Sequence, residues 1–306
     1  MEGLSNLLAA LPAFDRVFVV ILLTAFINLI TTLVRSSRLA GVRTKRLATA
    51  ISLFGIIFLT ASFANTLQAP LLSSTMERQT NAAFSIAREL EPELADITES
   101  YLYQKTVTEV NRQLRTVLWG ATAGTLLGLL LIPSFVATFI NIINAFGRTG
   151  SVFRLIPLIF YSADGQPRLR IIWRLLSRQT LREILTRPMT TPKAFLFWST
   201  VSYSVWAVNV LCGLSAAALI PEARGIAISA AAIFGNAAIV INVMMVDPIL
   251  ARVTDRVANE KEQEIELKQI IFYLAIANVV GTLISQIIFS PLAYLMMKMA
   301  AGIKGF

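Results

Sequence analysis

QIIFYLAIANVVGTLISQIIFSPLAYLMM, residues 269–297, runs for 29 positions without an Asp, Glu, Lys or Arg. A helix needs roughly 17 to 25 mostly apolar residues to cross the hydrocarbon of a bilayer, so this stretch is long enough for one crossing. Its polarity does not alternate from residue to residue, as a lipid-facing barrel strand requires. Hydrocarbon offers no water to backbone N–H and C=O groups, so such a run must satisfy them internally, as a helix.

Five more charge-free runs lie toward the N-terminus, at 17–34, 47–76, 116–147, 194–221 and 225–246. The expected fold is therefore an all-α polytopic membrane protein of one membrane domain, 1–306, with six transmembrane helices at about 15–35, 47–68, 116–146, 194–219, 225–246 and 269–297. Composition agrees: 56% of residues are hydrophobic and 15% charged, against the quarter or so charged in soluble domains. No basic region separates Met1 and Glu2 from the first apolar run, so that run is expected to stay as an anchor instead of being cleaved as a secretory signal.

The same inventory excludes several chemistries. There is no histidine and one cysteine, Cys212, which rules out intrachain disulfides, the usual Cys and His zinc sites and Ser-His-Asp triads. No G-x-x-x-x-G-K-[ST] phosphate loop, kinase signature or dinucleotide fingerprint is present, so neither ATP hydrolysis nor a cofactor is expected.

Basic residues are distributed unequally between the two sides. Of the Lys and Arg residues, 18 fall in the loops after spans one, three and five, and 9 in the opposite loops and near the termini. The positive-inside rule places the richer side in the cytoplasm and both termini outside. Residues 73–115 then form an external helical loop, in which Leu90, Leu94, Ile97 and Tyr101 recur at helical spacing as an external amphipathic helix. No Gly or Pro separates Glu93 from Trp119, which predicts one long helix rising into the third span.

Residues 147–193 form a cytoplasmic basic loop. Arg170, Arg174, Arg178 and Arg182 stand four residues apart, and Ile171, Ile172, Leu175, Leu176 and Leu185 lie beside them. That pattern predicts a cytoplasmic basic interfacial helix, whose like-charge repulsion of a few tenths of a kcal/mol per pair calls for an anionic surface such as lipid phosphate. Membrane lipids are the expected partner and nucleic acid is not, since no aromatic-interleaved basic module is present. The apolar piece 155–161, interrupted by Pro157, is too short to span.

Inside the spans, Gly120, Gly124 and Gly128 form a double small-residue motif for close helix packing, either within the chain or across a homodimer. Polar side chains advance along three spans: Thr24, Asn28, Thr31 and Arg35 on the first; Ser134, Thr138, Asn141, Asn144 and Arg148 on the third; Asn278, Thr282 and Ser285 with Gln286 on the sixth. Asn65, Gln68, Asn209 and Asn242 add amides to the other spans. A single such residue is ordinary glue between helices, but two stripes ending in arginines on one side suggest a groove most positive at its inner mouth.

The strings RLAGVRTKR (38–46), QAPLL (68–72), VDP (246–248), Thr254-Asp255 and GTLISQ (281–286) resemble the Amj family of bacterial lipid II flippases. The resemblance runs from the first span to the sixth, and residues 147–220 add nothing to it. It implies a bacterial cytoplasmic membrane location and movement of the undecaprenyl-pyrophosphate-linked peptidoglycan precursor, lipid II, from the inner to the outer leaflet. It brings no residue-level binding motif, so candidate residues follow from position and chemistry. Arg35, Arg38, Arg43 and Arg46, then Arg148, suit capture of a pyrophosphate because guanidinium is a planar bidentate donor. Asn28, Asn141, Asn144, Asn278 and Gln286 suit a groove replacing water around sugars and peptide.

Rival functions remain at this point. An exporter of amphipathic small molecules would have a more apolar groove with dispensable arginines. An intramembrane enzyme acting on lipid phosphates would need a nucleophile or paired carboxylates, for which Asp247 and Asp255 are the candidates, although Asp247-Pro248 reads more simply as helix termination at the interface. A membrane scaffold would have a solid bundle without a cavity.

Overall fold

The computed structural model describes residues 13–154, 171–174, 176–189, 192–260 and 263–305. Nine α-helices occur among them: α1 (Ala13–Leu33), α2 (Ser37–Arg43), α3 (Leu47–Leu90), α4 (Tyr101–Thr149), α5 (Arg178–Thr186), α6 (Ala194–Leu219), α7 (Arg224–Met245), α8 (Asp247–Ala258) and α9 (Glu264–Lys304). No strand occurs among the described residues. Six helical stretches are long and apolar enough to cross a membrane, built on α1, α3, α4, α6, α7 and α9. The protein is thus a multi-pass, all-helical membrane protein.

Two of these helices outrun any bilayer. α3 has 44 residues and α4 has 49, or about 65 to 75 Å at 1.5 Å per residue, against a hydrocarbon core of about 30 Å. They project together as a helical hairpin beyond one face, called here the hairpin end; the opposite face, which carries α2, α5 and α8, is the basic end. Pro70, Pro133 and Pro291 lie inside these long helices, as membrane helices tolerate.

The hairpin corrects the sequence expectation of an amphipathic helix through Leu90, Leu94, Ile97 and Tyr101. α3 continues unbroken from its span to Leu90, the chain turns through 91–100, and α4 begins at Tyr101. Asp96 accepts hydrogen bonds from the Thr98 N–H (2.9 Å) and hydroxyl (2.7 Å), which hold its carboxyl below the usual range and compete with helix continuation. Leu90 and Tyr101 are both exposed. The expected long helix into the third span is present, starting at Tyr101.

The basic loop also departs from expectation. Among the described residues Arg178 and Arg182 share a helix, α5, and Ile171, Ile172, Trp173 and Arg174 form a non-helical strap; Arg170, Leu175 and the 155–161 piece lie outside the described residues. The strap spends its backbone groups on α4 instead. The Ile172 N–H donates to Thr138 Oγ1 (3.0 Å); Ser134 Oγ accepts from the Arg174 N–H (2.8 Å) and donates to the Arg174 carbonyl (2.7 Å). Ser177 then caps α5 by accepting from the Thr180 N–H at 3.1 Å.

The glycine motif of α4 is used inside the chain. Gly120 lies against Ile21, Gly124 against Ala25 and Gly128 against Leu29 and Thr32, so α1 and α4 run parallel at backbone contact. A side-chain carbon at Gly124 would come within 2.1 Å of the Ala25 carbonyl oxygen. α1, α3 and α4 form one half of the bundle and α6, α7 and α9 the other, joined mainly where α9 and α6 meet α4. α6 is the helix most enclosed by its neighbours.

The apolar core is divided into a hairpin-end cluster around Val20, Leu118, Leu211 and Phe289 and a basic-end cluster around Phe54, Phe139, Leu250 and Ile270. Between them lies a layer of buried polar side chains, including Asn28, Arg35, Asn278 and Thr282.

Candidate functional site

Arg35 follows α1 directly, in a 3-10 turn at Val34–Ser36, and its side chain points into the bundle at 8% exposure. Its guanidinium donates to Asn242 Oδ1 on α7 (2.9 Å) and to Asn278 Oδ1 on α9 (3.3 Å). Asn278 stands ten residues from Lys268, about 15 Å along α9, and eight from Gln286, where Arg115 of α4 meets α9. Arg35 itself ends the apolar run of α1, and Asn242 stands five residues before Asp247, so the guanidinium is buried in the basic half of the apolar slab. Insertion scales put the cost of a charge at the centre of a membrane helix at about 2.5–3.5 kcal/mol, falling toward the ends, whereas hydrogen bonds between membrane helices average about 0.6 kcal/mol each. Two amide contacts are a small return for burying a guanidinium, which marks Arg35 as a functional candidate.

Arg35 lines a cavity of about 450 Å³ together with Arg38, Tyr203, Asn242, Asp247 and Asn278. Among the described residues its hydrogen bonds go to amide oxygens, while Asp247 attracts both Arg35 and Arg38 at longer range. Phe58 of α3 and Ile239 and Val243 of α7 also line the cavity, and these three are exposed on the outer faces of their helices. The cavity thus opens sideways, toward lipid, between α3 and α7.

A second, smaller cavity of about 60 Å³ continues the polar track toward the hairpin end. It is lined by Asn28, Asn65, Gln68, Trp206 and Asn209. The Tyr203 hydroxyl donates to Asn28 Oδ1 (2.9 Å) and Asn28 Nδ2 donates to the Thr24 carbonyl (2.8 Å), linking the two cavities. Gly235 of α7 leaves the space that the Asn209 amide occupies, 2.3 Å from where a side-chain carbon would sit. Beyond this point the seam is tied: Arg224 at the start of α7 donates to Asn81 Oδ1 (3.2 Å) and Thr80 Oγ1 (3.3 Å) on α3. The cleft is wide in the basic half and closed at the hairpin end.

The structure brings Arg35, Arg38, Asn28 and Asn278 together in this cleft and disperses the other sequence candidates. Arg43 forms a two-point ion pair with Glu264 (2.8 and 3.2 Å), which Lys268 also contacts (2.6 Å). Arg46 lies at the start of α3 with its guanidinium against Gly147 of α4. Arg148 and Asn144 are exposed near the end of α4 and Asn141 is half-buried there. Gln286 stitches α9 to α4: its amide nitrogen reaches the Arg115 carbonyl (3.4 Å), and Arg115 donates to the Gln286 carbonyl (2.9 Å) and to Ser290 Oγ (2.8 Å). Ser134 and Thr138 hold the strap, as described above.

Sequence reasoning missed Tyr203 and Trp206. The signal was available: with Asn209 they are spaced by three on α6, aromatic rings with polar handles inside an apolar run. At Asp247-Pro248, where the sequence predicted only a helix end, α7 stops at Met245 and Asp247 also opens a further helix, α8, with Pro248 in the first turn; Asp247 lines the cleft as well.

The family described as "Amj: Alternate to MurJ" matches residues 23–300. The chain belongs to the Amj family. A relative in Bacillus subtilis (strain 168), named lipid II flippase Amj, is 30% identical over 269 residues, 88% of this chain and 90% of the relative. No solved structure matches the chain. The Amj match reaches into all six spans and includes every cleft residue named above.

Proposed function

We propose that this chain is a lipid II flippase, carrying the undecaprenyl-pyrophosphate-linked peptidoglycan precursor from the inner to the outer leaflet of a bacterial cytoplasmic membrane. The observation that carries the reading is the buried guanidinium of Arg35 in a polar cleft that opens sideways to lipid, in a member of a family named for this activity. A diphosphate cannot enter hydrocarbon unaided, because each ionised group costs many kcal/mol. Arg35 and Arg38 supply fork-shaped donors for it, and the amides of Asn28, Asn278, Gln68 and Asn209 replace water around sugars and peptide as the headgroup climbs. The prenyl tail stays in lipid outside the α3–α7 seam.

In this reading the basic end faces the cytoplasm, both termini face outward, and exposed Arg46 and Arg148 attract the anionic headgroup before it meets Arg35. Release at the hairpin end requires Arg224 to let go of α3. Transport uses no ATP; each negative charge leaving a negative interior gains about 2.3 kcal/mol per 100 mV. An exporter of amphipathic molecules fits less well, since it needs no buried arginine, and so does a lipid-phosphate enzyme, since Asp247 is the one carboxylate among the described cleft-lining residues and paired acid–base work needs two.

The deciding experiment is rescue of wall synthesis in a bacterium depleted of its other lipid II flippase. The wild-type chain should restore growth, and Arg35→Ala, expressed at matched level in the membrane, should not. Growth restored equally by Arg35→Ala would refute the assigned role of the cleft, and no rescue by the wild-type chain would refute the substrate.

A further inference from the structure

Between α4 and α9 at the basic end lies a third cavity, of about 280 Å³, which shares no lining residue with the cleft. Three cationic side chains from three separate elements line it: Arg43 of α2, Arg174 of the strap and Lys268 of α9. Glu264 neutralises one charge, through its contacts with Arg43 and Lys268, which leaves the three cations and one carboxylate at a net charge of +2. Ser177 and Thr180, at the N-terminus of α5, add hydroxyls and the positive end of a helix dipole.

The remaining wall is apolar, formed by residues such as Leu129, Pro133, Ile184 and Phe272. Leu126, Leu130, Pro133 and Ala137 follow one another at helical spacing on α4. The last two line the cavity, while Leu126 and Leu130 are 47% and 46% exposed on the membrane-facing surface leading to it. The strap that walls one side carries exposed Ile171 and Trp173, side chains suited to the headgroup boundary. A cationic, hydroxyl-lined chamber at the basic end therefore opens onto an apolar track at the depth of acyl chains.

We propose that this cavity binds one anionic phospholipid, its phosphate against Arg43, Arg174 and Lys268 and an acyl chain along Leu130 and Leu126. The strap, held on α4 through Ser134 and Thr138, completes the site. The site is independent of the transport reading, because it needs no substrate and lies outside the cleft.

Native mass spectrometry of the purified full-length protein tests this with phosphatidylglycerol, phosphatidylcholine and inorganic phosphate as probes. Phosphatidylglycerol should bind at one site in preference to phosphatidylcholine. Arg174→Ala and Lys268→Gln should each weaken that preference roughly 5-fold, the double variant roughly 30-fold, as each basic residue near an anionic surface contributes about 1 kcal/mol. A charge-matched control, Arg154→Gln with Arg252→Gln, should leave the preference unchanged. The proposal is overturned if the control weakens it as much as the double variant, which indicates bulk charge. It is also overturned if inorganic phosphate competes as well as the lipid, which indicates a free-anion site. Because the readout is a ratio between two lipids, a general folding defect lowers both and does not imitate the expected result.

Discussion

Arg35 and Tyr203 are both buried polar groups lining the cleft, yet they do different work. Tyr203 donates to Asn28 Oδ1, and its loss leaves that buried acceptor unpaired at a cost of about 1 kcal/mol. Arg35 bridges two helices through a planar fork that a lysine ammonium cannot copy. Tyr203→Phe should lower thermal stability by a few degrees and slow transport in proteoliposomes less than threefold. Arg35→Lys should fold with nearly unchanged stability and lose more than nine-tenths of transport. Similar losses from both substitutions would mean that Arg35 acts only through packing. The amides around these two residues could be read as polar intrusions in apolar runs, but an Asn on a membrane helix has the same signature whether it lines a cleft or joins two helices. Gln286 and Asn278 stand eight residues apart on α9 and have different surroundings, because α4 covers the first while the seam beside α7 leaves the second open.

Among the elements, the α1–α4 pair sets the geometry of the cleft, since it holds the turn that carries Arg35. Its packing depends on glycine at positions where backbones touch, so added bulk cannot be absorbed by a side-chain rotation. Gly124→Val should destabilise the protein by roughly 1 to 3 kcal/mol, as overpacking of a tight interface does, and should show as a lower unfolding midpoint in detergent. Gly55, which has open space around it, should accept Ala with little change. An unfolding midpoint for Gly124→Val equal to that of wild type would show that α1 and α4 can part freely. The small-residue spacing announced close packing but not the partner; α1 presents no comparable glycine motif, and its match to α4 arises from Ala25 and the carbonyls around it. Likewise, helical spacing alone could not locate the ends of α3 and α5. Ser177 captures the Thr180 N–H and starts α5, while α3 stops at Leu90 and Asp96 captures the Thr98 N–H to begin the 3-10 turn that follows, inside a pattern that continues on paper.

For the whole molecule, the unequal charge of its two ends and the cleft closed at the hairpin end make opposite predictions for the two faces. Glu93 lies in the hairpin turn, and the native cysteine, Cys212, is buried, so a cysteine placed at Glu93 reports orientation. In intact cells Glu93→Cys should react with a membrane-impermeant maleimide. In proteoliposomes sorted by the same label, lipid II should move faster from the basic to the hairpin end when the compartment at the basic end is negative. Equal rates at both polarities would remove the membrane potential as the driving force, and labelling of Glu93→Cys only after permeabilisation would invert the topology.

Six crossings, their helical nature and the basic bias of one side were settled by composition along the chain, because the bilayer imposes its requirement on each segment separately: enough apolar length, and every backbone group satisfied within the segment. Which polar side chains share a cleft, where that cleft opens, and which arginine is buried among amides while another is paired with Glu264 depended on how the segments meet. Those outcomes belong to contacts between residues such as Arg35 and Asn278, separated by 243 positions, and no local pattern carries them.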